Sequence, residues 1–365
     1  MGRYDKRSCF SCLLWGNYES KPRCFESNMM TETETLDLLI VGAGPAGLAA
    51  SCAAQDAGLT HVIVEREGPT QSLVGHPQQI RYFSPADELA IGGVPFFMAG
   101  GYRPTREDAL AYYRAVAGSR KLPLATWEEV TDVRRDTLDA PFVVRSTRRS
   151  AADGQVVERR ARFLLVCTGT FPNPRRLNVP GGDLPNVLTR LDDPTPFFGR
   201  KVLVIGGGNS AATGAMTLAE AGALVTLAMR RPPVDFQNHL RPFIVRDLKI
   251  MADEKRLTLR TGVHVAAVTP TSVDLACVPG EEGGHCETLP NDFVFALIGH
   301  TADQTLFAHL GVPLAKDGLP NYDEKTSESC IPGLYLAGSL SRANIILESR
   351  QRAVEIVAHV AARLA

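Results

Sequence analysis

"VGAGPAGLAA", residues 41–50, decides how the rest of the chain is read. The apolar run "LDLLIV" (36–41) comes before it and reads as a buried parallel strand. An Ala-rich helix follows, ending at Gly58, and then a second strand, "HVIVE", which finishes on Glu65. This is a complete βαβ unit. Gly42 permits the tight turn, Gly44 lets a pyrophosphate approach the backbone, and Gly47 lets helix and strand pack closely. The helix N-terminus offers free N–H groups and the positive end of a dipole to phosphates. Glu65, 18 residues past Gly47, falls where a carboxylate takes ribose hydroxyls. Pro45, Ala46 and Arg66 border the same turn and join the candidate nucleotide contacts.

The pattern recurs in "KVLVIGGGNSAATGAMTLAEAGALVTLAMRR", residues 201–231. Gly206, Gly208 and Ala211 hold the three small-residue positions, with Asn209 and Ser210 opening the helix. The ending differs, because Arg230 and Arg231 stand where the first unit has its acid. A carboxylate repels a ribose 2′-phosphate, whereas guanidinium groups bind it in bidentate fashion. One cradle with an acid and one with arginines imply FAD and NADPH. Two further strands agree with a flavoprotein. "ARFLLVCTGTFPNP" (161–174) runs into Thr168-Gly169, and "IPGLYLAGSL" (331–340) ends in Gly338-Ser339 before a last helix. That helix aims its N–H groups at phosphate or flavin oxygens, with Asn344 a further candidate contact. The expected fold class is α/β: two Rossmann-like, three-layer dinucleotide-binding domains, the FAD domain discontinuous.

Composition narrows the partners. The 365 residues suffice for two domains, and 39 basic side chains nearly balance 40 acidic ones. No basic stretch is interleaved with aromatics, so nucleic acid is not an expected partner. No run reaches the 18–20 or so apolar residues of a membrane span. "FAHLGVPLA" and "IVAHVAARLA" read as core-facing helix. Five of the eight cysteines (52, 167, 277, 286, 330) are scattered without close pairing, which favours a reducing, cytoplasmic compartment. Residues 1–29 carry the other three, lack periodicity and read as a disordered leader or a mis-set start ahead of Met29-Met30. Within that leader Cys9-Phe-Ser-Cys12 has no helix to depress a thiol pKa. With Cys24 the pair still lacks a fourth zinc ligand nearby, so no metal site is expected.

Taken together, "VIGGGNSA", "FALIGH" (295–300), "GLYLAG" and "SRQRA" (349–353) make the chain resemble the two-domain flavoprotein disulfide reductases of the thioredoxin-reductase type over about residues 36–365. The resemblance implies an FAD domain in two segments, 30–174 and 298–365, with an NADPH domain, 175–297, between them. Thioredoxin reductases carry C-x-x-C just before the second cradle, where "VPGGDLPNVLTRLDDPTPFFGRKV" has no cysteine. The chain is more similar to the bacillithiol-disulfide reductases, through "RYFSPADELAIGGVPF" (81–96), "REDALAYYRAV" (106–116), "HLRPFIV" (239–245), "NDFVFALIGH" and "ANIILES" (343–349). In those reductases the residue before the third glycine is typically cysteine, and here it is Ala46. Cys52 does not replace it, because six helical residues are about 240° of rotation.

The resemblance implies NADPH-dependent reduction of a low-molecular-weight disulfide such as bacillithiol disulfide, in a homodimer. Three alternatives stay open. A reductase of ferredoxin or another small electron-carrier protein needs no redox cysteine, which suits Ala46. A flavin monooxygenase has a His-containing linker where this chain has Thr189-Arg190. A redox sensor would bind both nucleotides without turnover.

Overall fold

Strand β1 (Thr35–Val41) turns Leu38 and Ile40 to one side and Leu39 and Val41 to the other, and all four are buried. A strand apolar on both faces needs cover on both, which is the situation of a central parallel strand. The computed structural model describes residues 34–149, 154–232, 236–278, 286–343 and 345–365. The leader reading of residues 1–29, with its three cysteines, and the assignment of Asn344 lie outside them.

From β1 the chain enters helix α1 (Pro45–Asp56) and returns in β2 (His61–Glu65), parallel to β1 with Val41 opposite Val64. Two short helices follow, α2 (Gln71–Val74) and α3 (Ala86–Leu89), and then α4 (Arg106–Ser119). A capping box starts α4: the Thr105 hydroxyl accepts from the Asp108 N–H, and the Asp108 carboxylate accepts from the Thr105 N–H. Strands β3 (Leu124–Thr126), β4 (Glu128–Arg134), β5 (Phe142–Arg148) and β6 (Val156–Val166) complete the first segment.

The second sheet is parallel and built by the second βαβ unit. Strand β7 (Val187–Leu188) leads to β8 (Lys201–Ile205), helix α5 (Asn209–Glu220) and β9 (Leu224–Met229). Helices α6 (Phe236–His239) and α7 (Pro242–Asp253) precede β10 (Thr258–Thr261). An antiparallel meander, β11 (Val263–Val268), β12 (Ser272–Cys277) and β13 (Glu287–Pro290), covers one face, and β14 (Phe293–Ala296) rejoins the parallel sheet. Val202 and Val204 pack towards α5 and α7, and Leu203 and Ile205 pack towards the meander. Each layer is thus written into one strand by alternation.

After α8 (Gln304–His309), β15 (Leu334–Leu336) pairs in parallel with the C-terminal half of β6, and α9 (Ile346–Leu364) ends the chain. The strand orders are β3-β2-β1-β6-β5-β4 with β15 on β6, β10-β9-β8-β14-β7, and β11-β12-β13. The fold is therefore α/β with two Rossmann-type sheets. "FAHLGVPLA" is helical only to His309; the chain turns at Gly311, whose φ of +67° a helix does not allow.

Two segments cross between the sheets side by side. Pro174 bridges His300, the Arg175 N–H donates to the Gly299 carbonyl at 2.9 Å, and the Thr301 N–H to the Asn173 carbonyl at 2.9 Å. The expectation of unpaired cysteines is corrected in the meander, where Cys277 and Cys286 form a disulfide with their Cα atoms 5.4 Å apart. They lie nine positions apart in sequence, but the register of Leu275 opposite Glu287 brings the strand ends together.

Candidate functional site

The three glycines of the first turn differ in what a side chain would meet. Gly42 has φ of +103°, and a Cβ there would come within 2.7 Å of the Cys167 carbonyl oxygen. At Gly47 a Cβ would collide with the Gly42 carbonyl oxygen, so helix and turn interlock. Gly44 is different: its backbone, φ −73° and ψ −179°, suits any residue, and a Cβ would find only Ser72 Oγ, at 3.7 Å. It faces a cavity of about 1100 Å³. Packing explains Gly42 and Gly47, whereas no contact among the described residues requires glycine at position 44.

The same cavity is lined by Pro45, Ala46, Glu65, Arg66, Thr168, Gly169, Gly338 and Ser339, all of them candidate nucleotide contacts from the sequence. Pro45 opens α1, where its missing N–H costs no hydrogen bond. Glu65 is partly committed to the turn, its Oε2 accepting from the Ala43 N–H at 2.7 Å and its Oε1 from the Glu67 N–H at 3.0 Å. A carboxylate has further lone pairs, so ribose hydroxyls remain within its capacity. Ser339 Oγ accepts from the Thr170 N–H at 3.0 Å and ties the turn after β6 to the turn after β15. Thr168 Oγ1 is buried with no hydrogen-bond partner. An unsatisfied buried hydroxyl costs about 1–3 kcal/mol, which a polar ligand atom would offset.

The second cradle is placed less centrally. Gly206 has φ of +145° and abuts the Leu297 carbonyl, as Gly42 abuts that of Cys167. Gly208 is open, and Ala211 is buried against the turn. Asn209 Oδ1 accepts from the Arg241 N–H at 3.0 Å. Of this cradle only Ser210 reaches the large cavity, joined there by Thr213, Gly214 and Thr217 of α5. Arg230 and Arg231 follow β9 outside the cavity; both are exposed and make no hydrogen bond or ion pair among the described residues. They are free to meet an anion.

Sequence reasoning missed an aromatic group at one end of the cavity. Phe171 meets His76 edge-on at 4.7 Å and stacks on His300 at 4.8 Å, while His76 Nδ1 and Tyr82 Oη share a 3.1 Å hydrogen bond. Burial, then His300 and Arg106, push the His76 imidazole down to about 4. Burial and Arg175 also lower His300. His300 lies in a quoted motif, but nothing local announces its meeting with a loop over 200 residues away.

No activated thiol is present among the described residues of the cavity. Cys167 borders it but is buried, and burial pushes its thiol far up. Cys52 lies inside α1, and burial raises it to about 11. Among the described residues no group of His, Cys, Asp and Glu is arranged to hold a metal, and no helix is long and apolar enough to cross a membrane.

Comparison with known proteins agrees with this layout. A family model described as pyridine nucleotide-disulphide oxidoreductase matches residues 39–338. The chain is 28% identical over 307 residues to a bacilliredoxin reductase of Bacillus subtilis, covering 84% of this chain and 90% of that one. A solved bacillithiol disulfide reductase from Bacillus cereus superposes with a TM-score of 0.81 at 29% identity, covering 90% of this chain and all of the other. A ferredoxin–NADP reductase of Ignicoccus hospitalis is 26% identical over 309 residues, 84% of this chain and 90% of that one.

Proposed function

The chain belongs to the pyridine nucleotide-disulphide oxidoreductase family, and from that premise we propose that it is an FAD-containing, NADPH-dependent reductase of a low-molecular-weight disulfide, bacillithiol disulfide being the first candidate. One observation carries the reading: a single cavity runs from Glu65 and the first glycine turn to Ser210 and Thr213 of the second βαβ unit. Two nucleotides held by two units are useful together only if their reactive ends share one space.

The residues fit both cofactors. Gly44 leaves room for a pyrophosphate, the N-terminus of α1 supplies N–H donors, Thr168 Oγ1 lacks a partner, and Glu65 keeps acceptor capacity for ribose. Arg230 and Arg231 favour NADPH over NADH by their charge. When bound, the nicotinamide supplies an electron pair and the flavin passes it on to the acceptor. The protein orients the two and excludes water. On this reading 30–174 and 298–365 form the flavin domain and 175–297 the NADPH domain, in a cytoplasmic homo-oligomer.

Ala46 stands in the cavity and burial pushes the Cys52 and Cys167 thiols up, so neither of these two cysteines is an activated thiol. The same fact favours a second reading, a reductase of ferredoxin or a similar carrier protein, which has a named relative in Ignicoccus hospitalis. Steady-state NADPH oxidation with bacillithiol disulfide and with ferredoxin as acceptors separates the two. Turnover with neither would remove both.

A further inference from the structure

One end of the cavity is lined by side chains that neither glycine turn requires. His76 Nδ1 is held by Tyr82 Oη at 3.1 Å. Phe171 lies between His76 and His300, its ring centroid 4.7 Å from one and 4.8 Å from the other. All three line the cavity, together with Arg190.

The charges around this group lean one way. Arg106 donates to the Val74 and His76 carbonyls and pairs with Glu107 at 2.7 Å. Arg190 pairs with Asp192 at 2.8 Å. Arg175, beside His300, donates to the Asp317 backbone carbonyl and has no carboxylate partner among the described residues, the Asp317 side chain pairing with Arg342 at 3.0 Å. Asp303, the acid lining this part of the cavity, is spent on capping α8 through the Thr305 and Leu306 N–H groups. The acids are engaged, and the two imidazoles are left facing the space, with the Arg175 guanidinium beside His300. Both imidazoles are held below their ordinary range by burial and by cationic neighbours. An anion entering the space offsets those cationic neighbours and favours a proton on the rings.

We propose that the His76–Phe171–His300 end of the cavity is a subsite for a carboxylate of the electron acceptor, so that a small disulfide bearing carboxylates is preferred to a neutral one. The proposal rests on the reading of the protein as a small-disulfide reductase. Its binding half is tested without that chemistry by suberate, a dicarboxylate of the same chain length as dithiodipropionate with no disulfide.

Calorimetry of suberate binding to the flavin-loaded protein, in buffers of different ionisation enthalpy, reads proton uptake directly. Net uptake at neutral pH is expected, with affinity falling as pH rises, because the rings are neutral when free and protonated in the complex. The double variant His76→Gln with His300→Gln should bind suberate about tenfold more weakly or worse. It should also lose the preference for dithiodipropionate over hydroxyethyl disulfide in kcat/KM. Suberate that fails to bind, or binds with no buffer dependence, would overturn the subsite, and neither result depends on a variant folding. Suberate binding as expected while neither disulfide is turned over would keep the subsite and remove the disulfide-reductase reading instead.

Discussion

Replacing Gly44 and Gly47 in turn by alanine should separate a glycine kept for a ligand from one kept for the fold. At Gly44 the backbone already suits alanine, and the new methyl would lie 3.7 Å from Ser72 Oγ. Gly44 is the N-cap of α1, where alanine is the poorer residue by about 0.5–1 kcal/mol. Alanine also restricts the unfolded chain, returning about 0.4–1 kcal/mol. The two effects nearly cancel, so the flavin-free Gly44→Ala protein should melt within about 3 °C of the parent, at roughly 2–4 °C per kcal/mol. At Gly47 the methyl collides with the Gly42 carbonyl, and α1 and the turn must move apart in a packed core. Overpacking of this kind costs about 1–3 kcal/mol or more, a loss of several degrees. Flavin content should reverse the contrast: absorbance per protein after reconstitution should fall at least about tenfold in Gly44→Ala, because the methyl occupies the space a pyrophosphate needs. The assays are calorimetric melting of flavin-stripped protein and flavin titration. If Gly44→Ala lowers the flavin-free Tm as much as Gly47→Ala, or keeps the parent's flavin affinity, the placement of the pyrophosphate is wrong.

The double change Arg230→Ala with Arg231→Ala should raise the KM for NADPH about ten- to a hundredfold and leave NADH nearly untouched. The difference should shrink as ionic strength rises, since both arginines are exposed; equal use of both nucleotides by the parent enzyme would refute the assignment. His76 is neutral in the fold with its pKa pushed down to about 4, while the unfolded chain titrates near 6.5. The unfolded state therefore binds more protons between those values, and flavin-free stability should fall as pH drops through that window, by at most about 3 kcal/mol. Melting curves of the parent and of His76→Gln test this, and an equally steep loss in the variant would point elsewhere. Alkylation of native protein followed by peptide mapping should label exposed Cys330 and spare Cys52 and Cys167. Rapid labelling of Cys167 would reopen a thiol relay.

By itself the sequence determined the two βαβ units, because everything that makes them is local. Gly42 and Gly47 meet across five residues, the helix begins between them, and alternation in β1 and β8 states that both sheets are covered on both faces. The lining of the cavity by the first turn and by Thr168, Gly169, Gly338 and Ser339 was legible for the same reason: each follows a strand of the first sheet. Tertiary structure alone decided the rest. It set β15 against the C-terminal half of β6 and so brought Ser339 to Thr170. It committed part of Glu65 to the Ala43 N–H, and it paired Cys277 with Cys286 through a hairpin register. It left Arg230 and Arg231 outside the cavity that Ser210 enters. The joining of His76, Phe171 and His300 depends on two chain segments crossing side by side between the sheets. Such a meeting follows from long-range strand register, and no periodicity or spacing within a single segment encodes it.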